Sequence, residues 1–164
     1  MIVVGIDASL RATGIGVVES RRKMQAVEYS VIRNPTGLSH SECLKKIQAA
    51  LAEVLARCRP EAAAIEGGFY FKNARTALIL GEVRGVVIAT CAAAGVPVYE
   101  YSPRLVKQAL TGFGAAQKDQ VSKMVASILG IREKLPEDAS DALAIAICHF
   151  HGQSGIAALR PSPI

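Results

Sequence analysis

Three apolar runs near the amino terminus have the pattern of β-strands. They are "MIVVGID", "IGVVES" and "QAVEYSVIR", and all three are rich in β-branched residues. A Gly-containing turn separates the first two runs, and a break at Asn34 follows the third. The pattern therefore predicts three strands at the start of the fold, the first two of them antiparallel.

A helical pattern follows from Ser39 to Arg59, where apolar residues recur every three or four positions. Ser39 or Ser41 can cap its start, and Pro60 lies beyond its end. The next segment, "EAAAIEG", is short and apolar and predicts a buried strand that ends on an acid. A strand, a helix and a strand in this order predict a crossover connection between parallel strands.

The second half of the chain predicts one more strand among four helices. The predicted helices span residues 74–94, 102–110, 117–129 and 138–149, and the strand is "GVPVYEY". Together the elements predict an α/β domain whose five-stranded mixed sheet is flanked by helices. We place this domain at residues 1–151, followed by a C-terminal tail at residues 152–164.

The composition fits a single domain that has an anionic partner. The chain has 164 residues, 51% of them hydrophobic, which suffices for one substantial core. Nineteen basic and fourteen acidic residues give a formal charge of +5, which favours nucleic acid as a partner, although a basic surface can also serve solubility alone.

The apolar start lacks a basic segment and stops at Asp7, and "GVVIATCAAAGVPV" is too short for a membrane span, so we expect a cytoplasmic protein. The cysteines are widely spaced, which favours neither a zinc site nor disulfides: Cys43, Cys58, Cys91 and Cys148.

Two aspartates three residues apart open the last predicted helix, "EDASDALAIAICHF". Asp138 and Asp141 lie about 60° apart around such a helix, so they share a face and repel each other. Asp138 alone could be an ordinary acid at a helix N-terminus. Asp141 is harder to explain in this way, because the residues after it are apolar nearly all round the helix, and a carboxylate in such surroundings needs a partner.

Asp7 and Glu66 repeat this feature at the ends of two predicted strands. Each follows a buried apolar run, and each alone could be an exposed strand end. If these strands are neighbours and the last helix packs on them, all four acids converge on one pocket. Oxygen ligands suit Mg²⁺ or Mn²⁺, and the sequence has no set of His and Cys residues for zinc. Two such ions can activate a water and stabilise the leaving oxygen of a phosphodiester, so the pattern indicates a nuclease.

Four segments follow one another across nearly all of the chain, to about His151. They are "GIDASLRATGIGVVE", "AIEGGFYFKNARTALILGEVRGV", "VYEYSPRLVKQALTGFGAAQKDQV" and "DASDALAIAICH". In order and spacing they resemble the RuvC-type Holliday-junction resolvases. The resemblance implies a ribonuclease H-like fold and a homodimer that nicks two strands of a four-way DNA junction symmetrically, leaving 5′-phosphate and 3′-hydroxyl ends. It also implies the branch-migration proteins RuvA and RuvB as partners.

The resemblance also implies a metal site. The family's catalytic, metal-binding acids fall on Asp7, Glu66, Asp138 and Asp141. It implies two Mg²⁺ ions at each active site, with Mn²⁺ as a substitute. We expect His149 and His151 to lie at the end of the last helix, too far along it from Asp141 to share that site.

Further positions of the resemblance imply contacts with DNA. Phe69 falls where the family carries an aromatic residue that stacks at the unpaired junction centre. Basic positions near the scissile phosphate match Lys107 and Lys118, and further candidates for backbone contacts are Lys72, Arg75 and Arg104. Without the resemblance, Phe69 could equally be a core residue and each of the cations a solvated surface charge.

The sequence also departs from the family's pattern. Ala8 and Ser9 stand where most members have Pro and Gly, and Gly67 and Gly68 stand where bulkier polar residues are usual. We expect the first change to alter the stiffness of the turn after the first strand, and the second to affect sequence preference. The helix within "LILGEVRGVVIATCAAAG" resembles the family's dimer helix, although packing on the chain's own sheet explains its small residues almost as well.

Three other functions stay open. The first is a ribonuclease H-like nuclease for another branched DNA or RNA substrate. The second is an actin-like ATPase or sugar kinase, whose first strand also reads "GID" but whose fold needs a second domain that 164 residues cannot hold. The third is a junction-binding module without activity, which would have lost at least one of the four acids.

Overall fold

The chain folds into a five-stranded mixed sheet with helices on both faces. A computed structural model describes residues 1–67, 73–154, 161, 163 and 164. The elements are β1 (Ile2–Asp7), β2 (Ala12–Ser20), β3 (Met24–Arg33), α1 (His40–Cys58), β4 (Ala62–Glu66), α2 (Ala74–Ala93), β5 (Val98–Tyr101), α3 (Pro103–Thr111), α4 (Lys118–Leu129) and α5 (Glu137–Ser154). The predicted α/β class, the five strands and the order of the helices are therefore confirmed.

The sheet has the strand order β3-β2-β1-β4-β5. β1 pairs antiparallel with β2, and β2 with β3, whereas β1 pairs parallel with β4, and β4 with β5. The crossover through α1 thus carries the chain from the antiparallel hairpins to the far side of β1, as the sequence predicts. This topology makes β1 and β4 direct neighbours.

Each face of the sheet has its own core because side chains alternate along a strand. On one face, Val3 and Ala64 pack with residues of α3, α4 and α5. On the other face, Val4, Ile6 and Ile65 pack with residues of α1 and α2. The central strands β1 and β4 are therefore covered on both sides, which explains why their sequences are apolar without alternation.

Local signals set the helix ends. Ser39, rather than Ser41, caps α1, and it forms a capping box with Glu42. α5 continues through Ser154, five residues beyond the predicted end, so that His149 lies inside the helix and is fully buried rather than at its end. Near the C-terminus, the Ile164 N–H donates to the carbonyl of Val98 in β5 at 2.9 Å.

Three strand glycines allow α5 to lie directly on the sheet. Gly5 pairs with Gly16, and Gly14 pairs with Asp7, so all four residues share one face of β1 and β2. A Cβ atom on Gly5 would clash with the backbone of Ala142, and one on Gly14 or Gly16 would clash with the backbone of α5 as well. The absence of side chains at these positions therefore brings the first turns of α5 close to Asp7.

α2 exposes an unusual amount of apolar surface. By length and composition alone it is the single helix in the described part of the chain that could cross a membrane, and 22% of its most apolar stretch is buried. Val83, Val87 and Cys91 face the interior, whereas Leu78 is 69% exposed. The sequence therefore makes α2 more apolar than its packing on the sheet requires.

Candidate active site

The first two acids lie side by side at one edge of the sheet. Asp7 is the last residue of β1 and Glu66 is the last residue of β4. Ile6 pairs with Ile65 in the parallel register, so Asp7 and Glu66, the next residues on the two strands, lie next to each other at the edge of the sheet. The prediction that these strands are neighbours is confirmed, and the carboxyl ends of parallel strands are where sites tend to form in such sheets.

A cavity of about 300 Å³ opens at this edge. Asp7 and Glu66 line it from the sheet, and Asp141 lines it from α5. Lys107 of α3 and Lys118 of α4 lie in the same lining, together with apolar residues of α3, α4 and α5. Three acids and two lysines that are far apart in the sequence therefore face one another across a small space.

Asp138 lies at the side of this group, because it does not line the cavity. Its carbonyl passes over Gly14, the pairing partner of Asp7, so that the first turn of α5 lies above the end of β1. Its charge still reaches Asp7 and helps to raise the pKa of that carboxyl. The structure thus places Asp138 within electrostatic reach of the other acids.

Burial and charge crowding make Asp7 the most perturbed of the four acids. Burial contributes most, followed by the carboxylates of Asp141, Glu66 and Asp138, and together they raise the pKa of Asp7 from 3.8 to about 7. Lys118 opposes this shift but does not cancel it. The site therefore holds more negative charge than its own lysines neutralise.

In Glu66 and Asp141, the other two acids in the cavity, burial likewise raises the pKa and lysine charge opposes the rise. Burial, and then the Asp141 carboxylate, raise the pKa of Glu66, while Lys118 and Lys107 act in the opposite direction. Burial also raises the pKa of Asp141, against the effect of Lys118. Every acid that lines the cavity is thus harder to ionise than an exposed carboxyl group, and perturbed acids of this kind cluster at functional sites.

Lys118 is the cation that touches these acids directly. Its Nζ donates to Oδ2 of Asp141 at 3.3 Å and to Oε1 of Glu137 at 2.7 Å. The hydrogen bond to Glu137 contributes most to raising the pKa of Lys118 above its usual range. Because an ammonium group has three N–H donors, one remains for another acceptor.

The donor set fits a hard divalent cation in its chemistry. The available ligands are carboxylate oxygens, which Mg²⁺ and Mn²⁺ prefer, and the raised pKa of Asp7 shows that positive charge is lacking there. In their present positions, the described side chains form no group of three or more His, Cys, Asp or Glu residues close enough together to hold an ion. The residues therefore fit the ion by ligand type, and Asp7, Glu66 and Asp141 are the acids in this cavity that would hold it.

The predicted DNA contacts fall into three groups. Lys107 and Lys118 line the acidic cavity, as described above. Arg104 lies on α3 three residues before Lys107, and Arg75 is exposed in the first turn of α2. Phe69 and Lys72 lie outside the described residues.

Gly67 has a structural reason in this chain. A Cβ atom at that position would clash with the side chain of Glu100 on β5. Glu100 in turn pairs with Arg84 of α2, which also donates to the carbonyl of Glu66 at 3.1 Å. The glycine therefore makes room for an ion pair that contacts the end of β4, while Gly68 lies outside the described residues.

Sequence reasoning missed Arg84 and Glu100, and it did not foresee that His149 is buried. The Nδ1 atom of His149 is 2.8 Å from the hydroxyl of Tyr101, and burial lowers the pKa of this histidine to about 4. An Arg inside the apolar helix α2 and a Glu inside the short strand β5 were visible as charges in apolar surroundings. That signal could have indicated the ion pair, since buried charges need partners.

Comparison with known proteins gives consistent results over nearly the whole chain. Residues 3–149 match the family model described as crossover junction endodeoxyribonuclease RuvC. The RuvC crossover junction endodeoxyribonuclease of Moorella thermoacetica is 44% identical over 151 residues, which cover 91% of this chain and 90% of that protein. The structure of Thermus thermophilus RuvC in complex with a Holliday junction substrate is similar with a TM-score of 0.92 and 37% identity, covering 100% of this chain and 99% of that one. The yeast mitochondrial Holliday junction resolvase Ydc2 shares the fold, with a TM-score of 0.66 and 14% identity over 91% of this chain and 77% of its own.

Proposed function

The chain belongs to the RuvC family of crossover junction endodeoxyribonucleases, and from this premise we infer that it is a nuclease that resolves Holliday junctions. Its sheet and helices form the ribonuclease H-like fold of these resolvases. The observation that carries the inference is the cavity in which Asp7, Glu66 and Asp141 meet Lys107 and Lys118. We propose that the enzyme acts in homologous recombination and DNA repair by paired symmetrical nicks that leave 5′-phosphate and 3′-hydroxyl ends.

Nucleases of this family depend on divalent metal ions. We propose that this chain uses two Mg²⁺ ions, which Mn²⁺ can replace, and that Asp7, Glu66, Asp138 and Asp141 hold them. Bound ions of this kind activate water and stabilise the charge of the leaving oxygen in phosphodiester cleavage. The excess of negative charge around Asp7 supports this assignment.

The chain's own cations have a separate part in the mechanism. Lys107 and Lys118 lie in the lining of the cavity and attract the phosphate that has to enter it. Lys118 already donates to Asp141 and Glu137, and its remaining donor is available to a phosphate oxygen. The buried ends of β1 and β4 fix the direction of two carboxylates, so that the phosphate is placed against a rigid edge of the sheet.

A cleavage assay on a synthetic four-way junction tests the proposed function. Each strand is end-labelled in turn, and products are mapped with Mg²⁺, with Mn²⁺ and with a chelator. We expect nicks at symmetrical positions in two opposing strands, only when one of the metal ions is present. Scattered single nicks along the duplex arms would contradict resolution.

The assignment of Asp7 is tested by Asp7→Asn. This protein should bind the junction and leave it uncut, because the substitution removes a buried carboxylate without changing the volume of the side chain. Cleavage at the normal rate would exclude Asp7 from the reaction. Comparison of four-way junction, flap, duplex and RNA–DNA hybrid at one salt concentration separates junction resolution from the alternative nuclease activities.

We propose further that the enzyme is a cytoplasmic homodimer whose subunits meet along α2. Exposed small and apolar residues follow one side of this helix: Leu78, Gly81, Gly85, Ala89 and Ala92. Family membership indicates a protein that does not span a membrane, and a second copy of the chain would remove this apolar surface from water. RuvA and RuvB remain proposed partners, and the division into a nuclease domain at residues 1–151 and a tail at residues 152–164 stays a prediction.

A further inference from the structure

An aromatic side chain stands exposed on the loop between α3 and α4. Phe113 is 64% exposed, although the sequence around it, "TGFGAA", contains residues that pack into the core, such as the buried Ala116. A large exposed aromatic side chain can mark a binding surface, because a ligand that covers the ring removes its apolar area from water. The ring of Phe113 is therefore free to contact a ligand from outside the chain.

The backbone holds Phe113 firmly at this position. Its N–H donates to the hydroxyl of Thr111 at 3.2 Å, and its carbonyl accepts from the N–H of Ala116 at 3.1 Å. Gly112 ends α3 in a left-handed conformation, with φ at 76°, which turns the chain sharply outward. The loop therefore presents the ring on a backbone that is hydrogen-bonded on both sides of it.

Cations and no acids surround one side of the ring. A cleft of about 600 Å³ is lined by Arg104, Lys107, Gln108, Gly112, Phe113, Gly114 and Ala115. No carboxylate is among these residues of the described chain, whereas Arg104 and Lys107 both contribute positive charge. Arg104 packs against Gly114, where a Cβ atom would approach its Cγ to 2.7 Å. The cleft is therefore complementary to a polyanion that also has a flat apolar surface.

The cleft and the acidic cavity share one lining residue. Lys107 lines both of them, the cavity on the side of Asp7, Glu66 and Asp141, and the cleft on the side of Phe113. Arg104, Lys107, Gln108 and Thr111 are spaced along one side of α3. A strand whose scissile phosphate lies in the acidic cavity therefore has a basic path along α3 that leads to the ring.

We propose that Phe113 is a base-contacting residue, which packs against a nucleobase of the cleaved DNA strand while Arg104 and Lys107 hold the phosphates beside it. This inference rests on the proposed function, because it takes the junction as the substrate. Aromatic side chains stack on bases of any sequence, and apolar side chains can also wedge between base steps of distorted DNA. Phe113 would thus fix the position of the strand relative to the acids from outside the cavity.

Tryptophan at this position provides a direct test. The chain contains no Trp, so Phe113→Trp in the uncleaving Asp7→Asn protein introduces a single Trp, whose emission can be excited selectively over that of the four tyrosines. Addition of a four-way junction should quench its emission, with half-saturation at the concentration that gives half-maximal binding in a gel-shift assay. The matched control is Val27→Trp, at an exposed position on the edge strand β3 and outside the cleft, whose emission should stay constant while the junction binds.

A substitution series completes the test. Phe113→Ala should weaken junction binding by about tenfold, since loss of one stacked base contact has an effect of this order, and Phe113→Tyr should restore it. Because the side chain is exposed, the thermal stability of these proteins should equal that of the parent.

The outcomes separate this inference from the proposed function. If the Asp7→Asn protein with Phe113 intact fails to bind the junction, the proposed function is wrong, and the inference is wrong with it. If the junction binds but the emission of the Phe113→Trp protein does not change, or if Phe113→Ala binds and cleaves like the parent, only the inference is overturned. The second result would also be the one expected if Phe113 contacts another protein instead of DNA.

Discussion

At the scale of single residues, Asp7 shows that the active site opposes the stability of the metal-free fold. Its pKa is raised from 3.8 to about 7, chiefly by burial and then by three nearby carboxylates. The folded protein therefore binds this proton more tightly than the unfolded chain, and the free energy of unfolding falls as the pH rises through that interval. A bound cation would reverse this effect.

We therefore expect Asp7→Asn to stabilise the metal-free protein while it abolishes cleavage. At pH 7.5 in chelator, the gain should be at most about 4 kcal/mol, because the pKa of Asp7 is raised from 3.8 to about 7 and each pH unit corresponds to about 1.4 kcal/mol. Urea unfolding at pH 4 and pH 7.5 measures it, and the gain should disappear at the lower pH. Asp119→Asn, at an exposed acid paired with Lys123, is the control and should produce no gain.

His149 acts on stability in the opposite direction. Burial lowers the pKa of its imidazole from 6.5 to about 4, so the unfolded chain binds this proton more tightly than the folded protein. Its contribution to stability is therefore complete above pH 6.5 and is lost as the pH falls toward 4. Its Nε2 atom has no hydrogen-bond partner within the described structure, which leaves nothing to stabilise the charged form.

The prediction is that His149→Phe reduces the pH dependence of unfolding between pH 4 and pH 6.5. The variant also leaves the hydroxyl of Tyr101 without its partner, which should cost about 1–3 kcal/mol at every pH. Tyr101→Phe is the control, because it removes the same hydrogen bond but keeps the imidazole and hence the pH dependence. Equal slopes in His149→Phe and the parent would contradict a buried neutral histidine.

At the scale of elements, the contact between α5 and the sheet depends on glycine. Gly5→Ala would drive its Cβ into the backbone of Ala142 and Ala146. We expect a loss of about 1–3 kcal/mol in the free energy of unfolding, or more, and slower cleavage because α5 carries Asp141. Gly37→Ala is the control, since nothing lies within 4 Å of the added atom. Unchanged stability in Gly5→Ala would mean that α5 does not lie this close to β1.

The ion pair between Arg84 and Glu100 links α2 to the strand that bears Glu66. Arg84→Met removes the donor to the carbonyl of Glu66 and leaves Glu100 unpaired. We expect cleavage of a prebound junction to slow by roughly tenfold, because Glu66 would no longer be held in place. The dissociation constant of the junction complex should change by less than about threefold, because Arg84 does not line the acidic cavity. Single-turnover kinetics and gel-shift titration separate the two quantities. Arg57→Met, which breaks an ion pair with Glu28 at 2.6 Å on another part of the surface, should change neither.

The sequence was sufficient for the elements and for the meeting of three acids in one cavity, but not for the contacts that fix them. Asp7, Glu66 and Asp141 were predictable because each is a charge at the end or start of an apolar run, and such runs form the core. The roles of Gly5 and Arg84 depend on which strand or helix contacts them in the folded chain, and the neighbouring residues in the sequence do not reveal this. His149 was misplaced because the end of α5 is set by packing of the apolar run through Phe150 rather than by a stop signal in the sequence.

At the scale of the whole molecule, the acidic cavity and the proposed dimer surface belong to helices on opposite faces of the sheet. α3, α4 and α5 pack on one face and bring Lys107, Lys118 and Asp141 to the acids. α1 and α2 pack on the other face, and α2 exposes apolar surface there. A dimer formed along α2 would leave both acidic cavities open to DNA, which paired nicking of one junction requires.

Gly85→Lys tests this arrangement. In the described part of the chain, nothing lies within 4 Å of a Cβ atom on Gly85, and the position is helical, so lysine should fold well in a single subunit and favour the helix by roughly 0.5–1 kcal/mol. In a dimer that meets along α2, two such lysines would place like charges in an apolar interface. We expect light scattering to give a mass near 17.3 kDa for this variant and about twice that for the parent, and we expect its nicks to lose their pairing. Gly37→Lys adds the same charge at another open position and should remain dimeric, and a dimeric Gly85→Lys protein would exclude α2 as the interface.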